Sequence, residues 1–341
     1  MNVRDISIAE CGQGDLLAID IFDDNGVVLL VKDVFLNEYM IERLKGLGIR
    51  KVSVFNKAKN ETKQFIRNNY IKSVDLLKTA VKDLASGKGL NYSDISTTSE
   101  LIYLGINEKD TIVQCLNEIR QEDDYTYTHC INTAFYAMLI SKWIGLSMYE
   151  TKLAIEAGLL HDIGKVKIPK EVLNKKGKLT QEEYELVKKH TVFGFDLIKD
   201  VIDIKPEVKQ AALLHHERVN RSGYPLQVSP KEINLFSKII AVADVYDAMT
   251  SERVYKKRAT PFEAFEMFKT IGASLFDLEV LNVFLKNLPN CYLGSKVLLR
   301  NNLIGEIVYI PPQDILNPII KIEDKYVEML SSKDYEVVEI L

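Results

Sequence analysis

The chain has 341 residues, of which 47% are hydrophobic and 27% charged, and its net charge is −4. That length holds two or more domains with a proper core, and the composition is that of an ordinary soluble globular protein. The weak acidic balance speaks against bulk binding of duplex nucleic acid.

Residues 1–60 read as a small α/β domain. LLAIDIF and VVLLV flank Asp23-Asp24-Asn25-Gly26, a hairpin turn signal. A helix is expected near residues 37–47, stopped by Gly46 or Gly48, and RKVSVF alternates as a strand. Residues 61–112 form a lysine-rich, mostly helical connector with a looser stretch at 86–99.

Residues 113–288 read as almost all helix. The most apolar stretch, 131–148, is interrupted by Asn132, Ser141 and Lys142. Its Ile131, Ala134, Phe135, Met138 and Leu139 keep one face, so it is expected as a core helix and not a membrane span. TKLAIEAGLL, residues 151–160, has a helical period that puts His161 and Asp162 at the end of a buried helix, with Gly164 breaking it. Thr180 and Glu183 form a capping box opening a helix that carries Leu186, Val187 and His190. Pro206 suits the first turn of a helix reaching His215-His216. Arg221–Pro225 is a loop by its Gly and Pro, and Asp244 and Asp247 share a later helix. The stripe Phe262, Phe265, Phe268 is core. Residues 289–341 change character: KVLLR, EIVYI, IIKI and YEVVEI read as strands of a small β domain. The expected fold class is mainly α. An all-helical bundle with a dinuclear metal core is flanked by a small N-terminal α/β unit and a small C-terminal β domain.

The chemistry is confined to the helical region. All five histidines, His129, His161, His190, His215 and His216, lie there. The four cysteines form no C-x-x-C pair, which fits thiols in a reducing cytoplasm and argues against a thiolate metal site. A signal peptide is not expected from the first fifteen residues. Imidazoles and carboxylates converging from several helices are how bundles build metal sites, and this donor set suits iron, manganese or zinc. Five histidines with Asp162 and Asp244 are too many for one tetrahedral ion and about right for a pair bridged by Asp162 and a water. Such a pair suits in-line phosphoryl displacement. Lys165, Arg253 and Lys256 lie close in sequence to these groups, and their charge would stabilise phosphate oxygens. Taken singly, His129 or His190 is more often a hydrogen-bonded helix residue, Asp247 a brace of its helix, Lys256 a solvated charge and Tyr224 loop packing.

LLHDIGKVKIP, VLNKKGKLTQEEYELVKKHTVFG, LLHHERVNRSGYP, IIAVADVYDAMTSERVYKK and LFD occur in that order. In these motifs the sequence resembles the HD-GYP family, the cyclic di-GMP phosphodiesterase branch of the HD superfamily of metal-dependent phosphohydrolases, over residues 113–288. The resemblance implies an all-helical domain holding two divalent ions, iron or manganese foremost. Their ligands would be His129, His161, Asp162, His190, His215, His216 and Asp244. Asp162 and Lys165 would be catalytic, and Lys165, Tyr224, Asp247, Arg253 and Lys256 would surround the substrate. The implied reaction is hydrolysis of cyclic di-GMP to pGpG and on to GMP. Three departures stand out. Tyr125 replaces a glutamate that holds a third metal in some members. Arg221 and Asn220 stand where Gly and Asp are common, and a requirement for positive φ would strain Arg221. Val254 and Leu278 replace common prolines. Two alternatives remain: an HD-type phosphohydrolase acting on another nucleotide, including cyclic GMP-AMP, and a non-catalytic cyclic di-GMP receptor. The expected location is the cytoplasm, off the membrane, with partners or self-association through the flanking segments.

Overall fold

The computed structural model describes residues 3–55, 62–105, 112–113, 116, 125–251 and 258–341, without the side chains of 62–64 and 125. Its contacts divide into two compact units. One is Met1–Glu61 with Thr260–Glu266 and Leu285–Leu341, and the other is Thr62–Ala259 with Met267–Phe284.

In the first unit, β1 (Val3–Ser7), β2 (Leu16–Leu17) and β5 (Lys51–Phe55) make an antiparallel sheet in the order β1-β5-β2. The expected hairpin joins β3 (Ile21–Phe22) to β4 (Val28–Leu30), and Asp23 Oδ1 accepts from the Asn25 and Val27 amides across its turn. Helix α1 (Glu38–Gly46) is capped by Asn37, whose Oδ1 accepts from the Met40 amide at 2.9 Å. A five-stranded antiparallel sheet follows from β6 (Lys296–Leu299), β7 (Ile304–Tyr309), β8 (Ile319–Ile322), β9 (Lys325–Glu328) and β10 (Val337–Ile340), in the order β10-β6-β7-β8-β9. Met40 and Leu44 of α1 lie in one hydrophobic cluster with Val308, Tyr309 and Ile319. The Asn37 amide also donates to Val308 O at 2.7 Å, so the two ends of the chain share one core. An amphipathic nine-residue helix has no stability alone, and here its apolar side is covered by residues from 270 positions further along.

The second unit is helical. Among the described residues up to 251 its α-helices are α2 (Thr62–Ala85), α3 (Tyr92–Tyr103), α4 (Tyr125–Ile144), α5 (Met148–Leu160), α6 (Lys170–Leu173), α7 (Gln181–Lys188), α8 (His190–Ile198), α9 (Pro206–Leu214) and α10 (Leu235–Thr250), and most of a later helix, Leu278–Asn287, belongs to it too. Two sequence expectations are corrected. The stretch 86–99 is loose only to residue 91, because Asn91 caps α3 and Ile95, Thr98, Ser99 and Ile102 are buried; burial outweighs the weak helix propensity of its Ser and Thr residues. The apolar helix α4 is buried on every side from Thr128 to Ser141, not on one face, because α2, α5 and α10 all pack on it. Among the described residues, no helix is long and apolar enough to cross a membrane.

Candidate metal centre

The centre is built where α4, α5, α8, α9 and α10 converge. Helix α5 opens with a capping box, Ser147 with Glu150, and runs buried to Leu160. His161 takes its C-cap position, and Asp162 begins a 3₁₀ turn over Ile163–Lys167. Gly164 does more than end the helix. A Cβ there would lie 1.9 Å from His190 O and 2.4 Å from Gly194 N, so only glycine lets this turn press against α8. That approach brings His190 to Asp162.

Three of the imidazoles are aimed by Nδ1 contacts to main-chain carbonyls. His161 Nδ1 faces Gly158 O at 2.8 Å, His190 Nδ1 faces Val187 O at 2.6 Å, and His215 Nδ1 faces Ala211 O and Ala212 O, both at 3.1 Å. A carbonyl only accepts, so each Nδ1 carries the proton and each Nε2 presents a lone pair. Those lone pairs converge: His190 Nε2 lies 3.3 Å from His215 Nε2 and 3.3 Å from Asp162 Oδ1, and His161 Nε2 lies 3.3 Å from Asp162 Oδ2. These are contacts between acceptors. His161 Nε2 and Asp162 Oδ1 are buried without a hydrogen-bond partner among the described residues. Acceptors packed this closely in a dry interior repel unless a cation sits among them. The donor chemistry therefore fits divalent metal ions, and two ligand groups stand out: His129 with His161 and Asp162, and His190 with His215 and His216.

His129 is held differently. Its Nδ1 meets Asp247 Oδ2 at 2.8 Å, and its Nε2 meets Asp244 Oδ1 at 3.1 Å and Asp162 Oδ2 at 3.6 Å. Burial pushes its pKa down, but the hydrogen bonds to Asp244 and Asp247 outweigh this and raise it to about 9. Burial drives His216 down to about 3, and together with its neighbour His216 it holds His215 well below the ordinary range. Burial alone would raise Asp162, yet Lys165, then His161, keep it well below the usual carboxylate value. Lys165 donates a hydrogen bond to Asp162 Oδ2. His216 Nδ1 lies 3.9 Å from Asp244 Oδ2.

Asp247 is completely buried, and its second oxygen accepts from Asn132 Nδ2 at 2.9 Å and Ser251 Oγ at 2.8 Å. The family resemblance implies a place for it around the substrate. With both oxygens engaged, it faces the Nδ1 side of the His129 ring and is placed to fix that ring's orientation. Asn132 in turn accepts from Tyr70 OH at 3.0 Å. Sequence reasoning treated Asn132 only as an interruption of an apolar run. Its place one turn after His129 was the available signal.

Tyr224 stacks on His216, with ring centroids 4.6 Å apart and planes at 26°. Its loop is drawn in tightly: a Cβ on Gly223 would meet His216 O at 2.4 Å, and Arg221 has φ +62°. Glu217 holds that loop, its Oε1 accepting from the Leu226 and Gln227 amides at 2.7 and 2.8 Å. The expected substrate residues Arg253 and Lys256, the substituted Val254 and the side chain of Tyr125 lie outside the described residues.

The HD domain family matches residues 138–280, which include every candidate ligand except His129. A cyclic di-GMP phosphodiesterase of Thermotoga maritima is 30% identical over 276 residues, covering 80% of this chain and 70% of that protein. The chain belongs to the HD-GYP family of HD domain proteins. A cyclic di-GMP phosphodiesterase of Pseudomonas aeruginosa matches this HD-GYP chain at 30% over 241 residues, 71% of the chain. A 3′3′-cGAMP-specific phosphodiesterase of Vibrio cholerae matches at 31% over 55% of it. The HD-GYP chain spans 58% of the Pseudomonas protein's length and 44% of the Vibrio protein's. In structure it resembles an HDG"Y"P protein from Bdellovibrio bacteriovorus, with a TM-score of 0.51 over 83% of this chain and 98% of that one, at 16% identity. That likeness bears on the fold alone.

Proposed function

We propose that this protein is a metal-dependent phosphodiesterase that hydrolyses cyclic di-GMP to pGpG, and on to GMP. The observation that carries this reading is the opposition of imidazole and carboxylate lone pairs around Asp162, joined to the names of the relatives that share the domain. His129, His161, His190, His215, His216, Asp162 and Asp244 would hold two divalent ions, with Asp162 between the two groups. Iron or manganese suits imidazole and carboxylate donors without thiolate. When bound, such a pair activates water near neutral pH and neutralises charge on a phosphodiester.

The chain's own side chains would do the rest. Lys165, beside Asp162, keeps a positive charge where phosphate oxygens would gather. Burial would lower its pKa, but Asp162 raises it, so the ammonium persists. Asp247 holds the His129 ring with Nε2 turned to Asp162 and Asp244. Tyr224 closes one side of the site against His216 and offers a flat face to the nucleotide. Arg253 and Lys256 keep their place in this reading as phosphate contacts. The lack of any C-x-x-C pair accords with work in the cytoplasm.

The test is hydrolysis of cyclic di-GMP by metal-loaded protein, with product analysis separating pGpG from GMP. Turnover lost to a chelator and restored by iron or manganese is the expected result. No turnover with full metal loading would favour a cyclic di-GMP receptor. The Vibrio relative gives a second substrate reason to be tried, so the same assay includes cyclic GMP-AMP.

A further inference from the structure

We propose that Tyr184 and Lys188 on α7 form a ledge that binds the part of the cyclic dinucleotide remote from the reacting phosphate. The ledge rests on the phosphodiesterase reading above and adds a specificity subsite to it. The two residues are four apart on a helix that begins with its own capping box, so they lie on one face, one turn apart. The Lys188 ammonium stands 5.3 Å from the Tyr184 ring centroid and 5.6 Å from the Tyr224 ring centroid. Tyr224 is in turn stacked on His216. A continuous path therefore runs from the half-buried metal-ligand candidate His216, across Tyr224 and Lys188, to Tyr184.

The chemistry along that path suits a dinucleotide. Tyr184 is 47% exposed, an aromatic face open to solvent at the edge of a polar, charged centre. Bases stack on such faces with little regard to sequence. Lys188 presents a cation between two aromatic rings, and its only ion-pair partner among the described residues is Glu185 at 2.7 Å, half-exposed and readily exchanged. A cyclic dinucleotide carries two phosphates in one ring. With one phosphate at the ligand cluster, the other must lie close by, and the ammonium between Tyr224 and Tyr184 answers its charge. A small phosphodiester has neither the second phosphate nor a purine base, so it gains little from either residue.

The experiment measures kcat and KM for cyclic di-GMP and for bis(p-nitrophenyl) phosphate on the full chain and on Tyr184→Ala, Tyr184→Phe and Lys188→Met, with bound metal measured in each. Removing the Tyr184 ring or the Lys188 charge is expected to raise KM for cyclic di-GMP about tenfold, which corresponds to about 1.4 kcal/mol. It should also lower the preference for cyclic di-GMP over the small diester about tenfold. Tyr184→Phe keeps the stacking face and should keep that preference. Equal preference in all four proteins would overturn the ledge and leave the function intact. A parallel loss on both substrates, or loss of metal, would show that the residues only support the fold of the site, and would overturn it too. If the full chain cleaves the small diester but no cyclic dinucleotide, the functional reading fails and the ledge fails with it.

Discussion

His190 and His215 meet Nε2 to Nε2 at 3.3 Å, each with its Nδ1 turned to a main-chain carbonyl. Two lone pairs so placed are stable only with positive charge beside them. The protein is therefore expected to bind two divalent transition-metal ions per chain, with Tyr125 in place of the glutamate that would supply a third. Elemental analysis of anaerobically prepared protein checks the count. A reproducible third ion held by the core would refute it.

Asp162 groups with His129 and His161 and lies 3.3 Å from His190 Nε2 of the other ligand group, whereas Lys165 donates to Asp162 Oδ2. Asp162→Ala should abolish hydrolysis and remove most bound metal. Lys165→Ala should keep the metal and lower kcat by about 10²-fold, the range for losing one group that stabilises transition-state charge. Metal retained with activity in the Asp162 variant would take that residue out of the centre.

Asp247→Ala separates two roles. As the orienting partner of His129, Asp247 should set metal affinity, and its loss should weaken binding about 10–100-fold. As a substrate residue it would raise KM and leave metal affinity alone. Metal titration beside steady-state kinetics tells which, and unchanged metal affinity would rule out the orienting role.

Glu156 on α5 is 5% exposed, and its Oε1 accepts from Tyr92 OH at 3.0 Å. Burial, against the Tyr92 hydrogen bond and the charge of Lys205, raises its pKa from 4.5 to about 7. The folded state thus holds its proton more tightly than the unfolded state. That contribution is fully present below about pH 4.5 and is lost as pH rises to about 7. Glu156→Gln removes the cost of the buried charge, so it should stabilise the protein at pH 8 by up to about 3 kcal/mol and have little effect at pH 4.5. Thermal melts at both pH values check this. An equal shift at both would mean that Glu156 does not titrate as described.

Arg221 sits in the left-handed region at φ +62°. An L side chain there costs about 1 kcal/mol relative to glycine, so Arg221→Gly should stabilise the fold by about that much and Arg221→Ala should not. The same variants, assayed on cyclic di-GMP and cyclic GMP-AMP, show whether Arg221 also tunes substrate choice. Identical kcat/KM ratios would leave it a surface charge.

Much was legible before any coordinates. Period and caps placed His161 and Asp162 at the end of α5, opened α7 at Thr180 and started α9 at Pro206, because these signals are local and act through neighbouring backbone groups. His190 was expected on the helix that Thr180 opens, but α7 ends at Lys188 and His190 begins α8, where the close approach of Gly164 sets the backbone. Confinement of all five histidines to one helical region pointed to where the imidazoles come together, in the groups His129 with His161 and His190 with His215 and His216. Three things came only from the tertiary structure. Asp247 turned out to be buried behind His129, since which face of a helix meets which neighbour depends on packing at a distance of 118 residues. Gly164 and Gly223 were read as a breaker and a loop residue, yet each is required by backbone from another segment lying where a Cβ would be. The two β-rich ends were read apart, yet they share one core, because the partner that buries an amphipathic helix leaves no mark in that helix's own sequence.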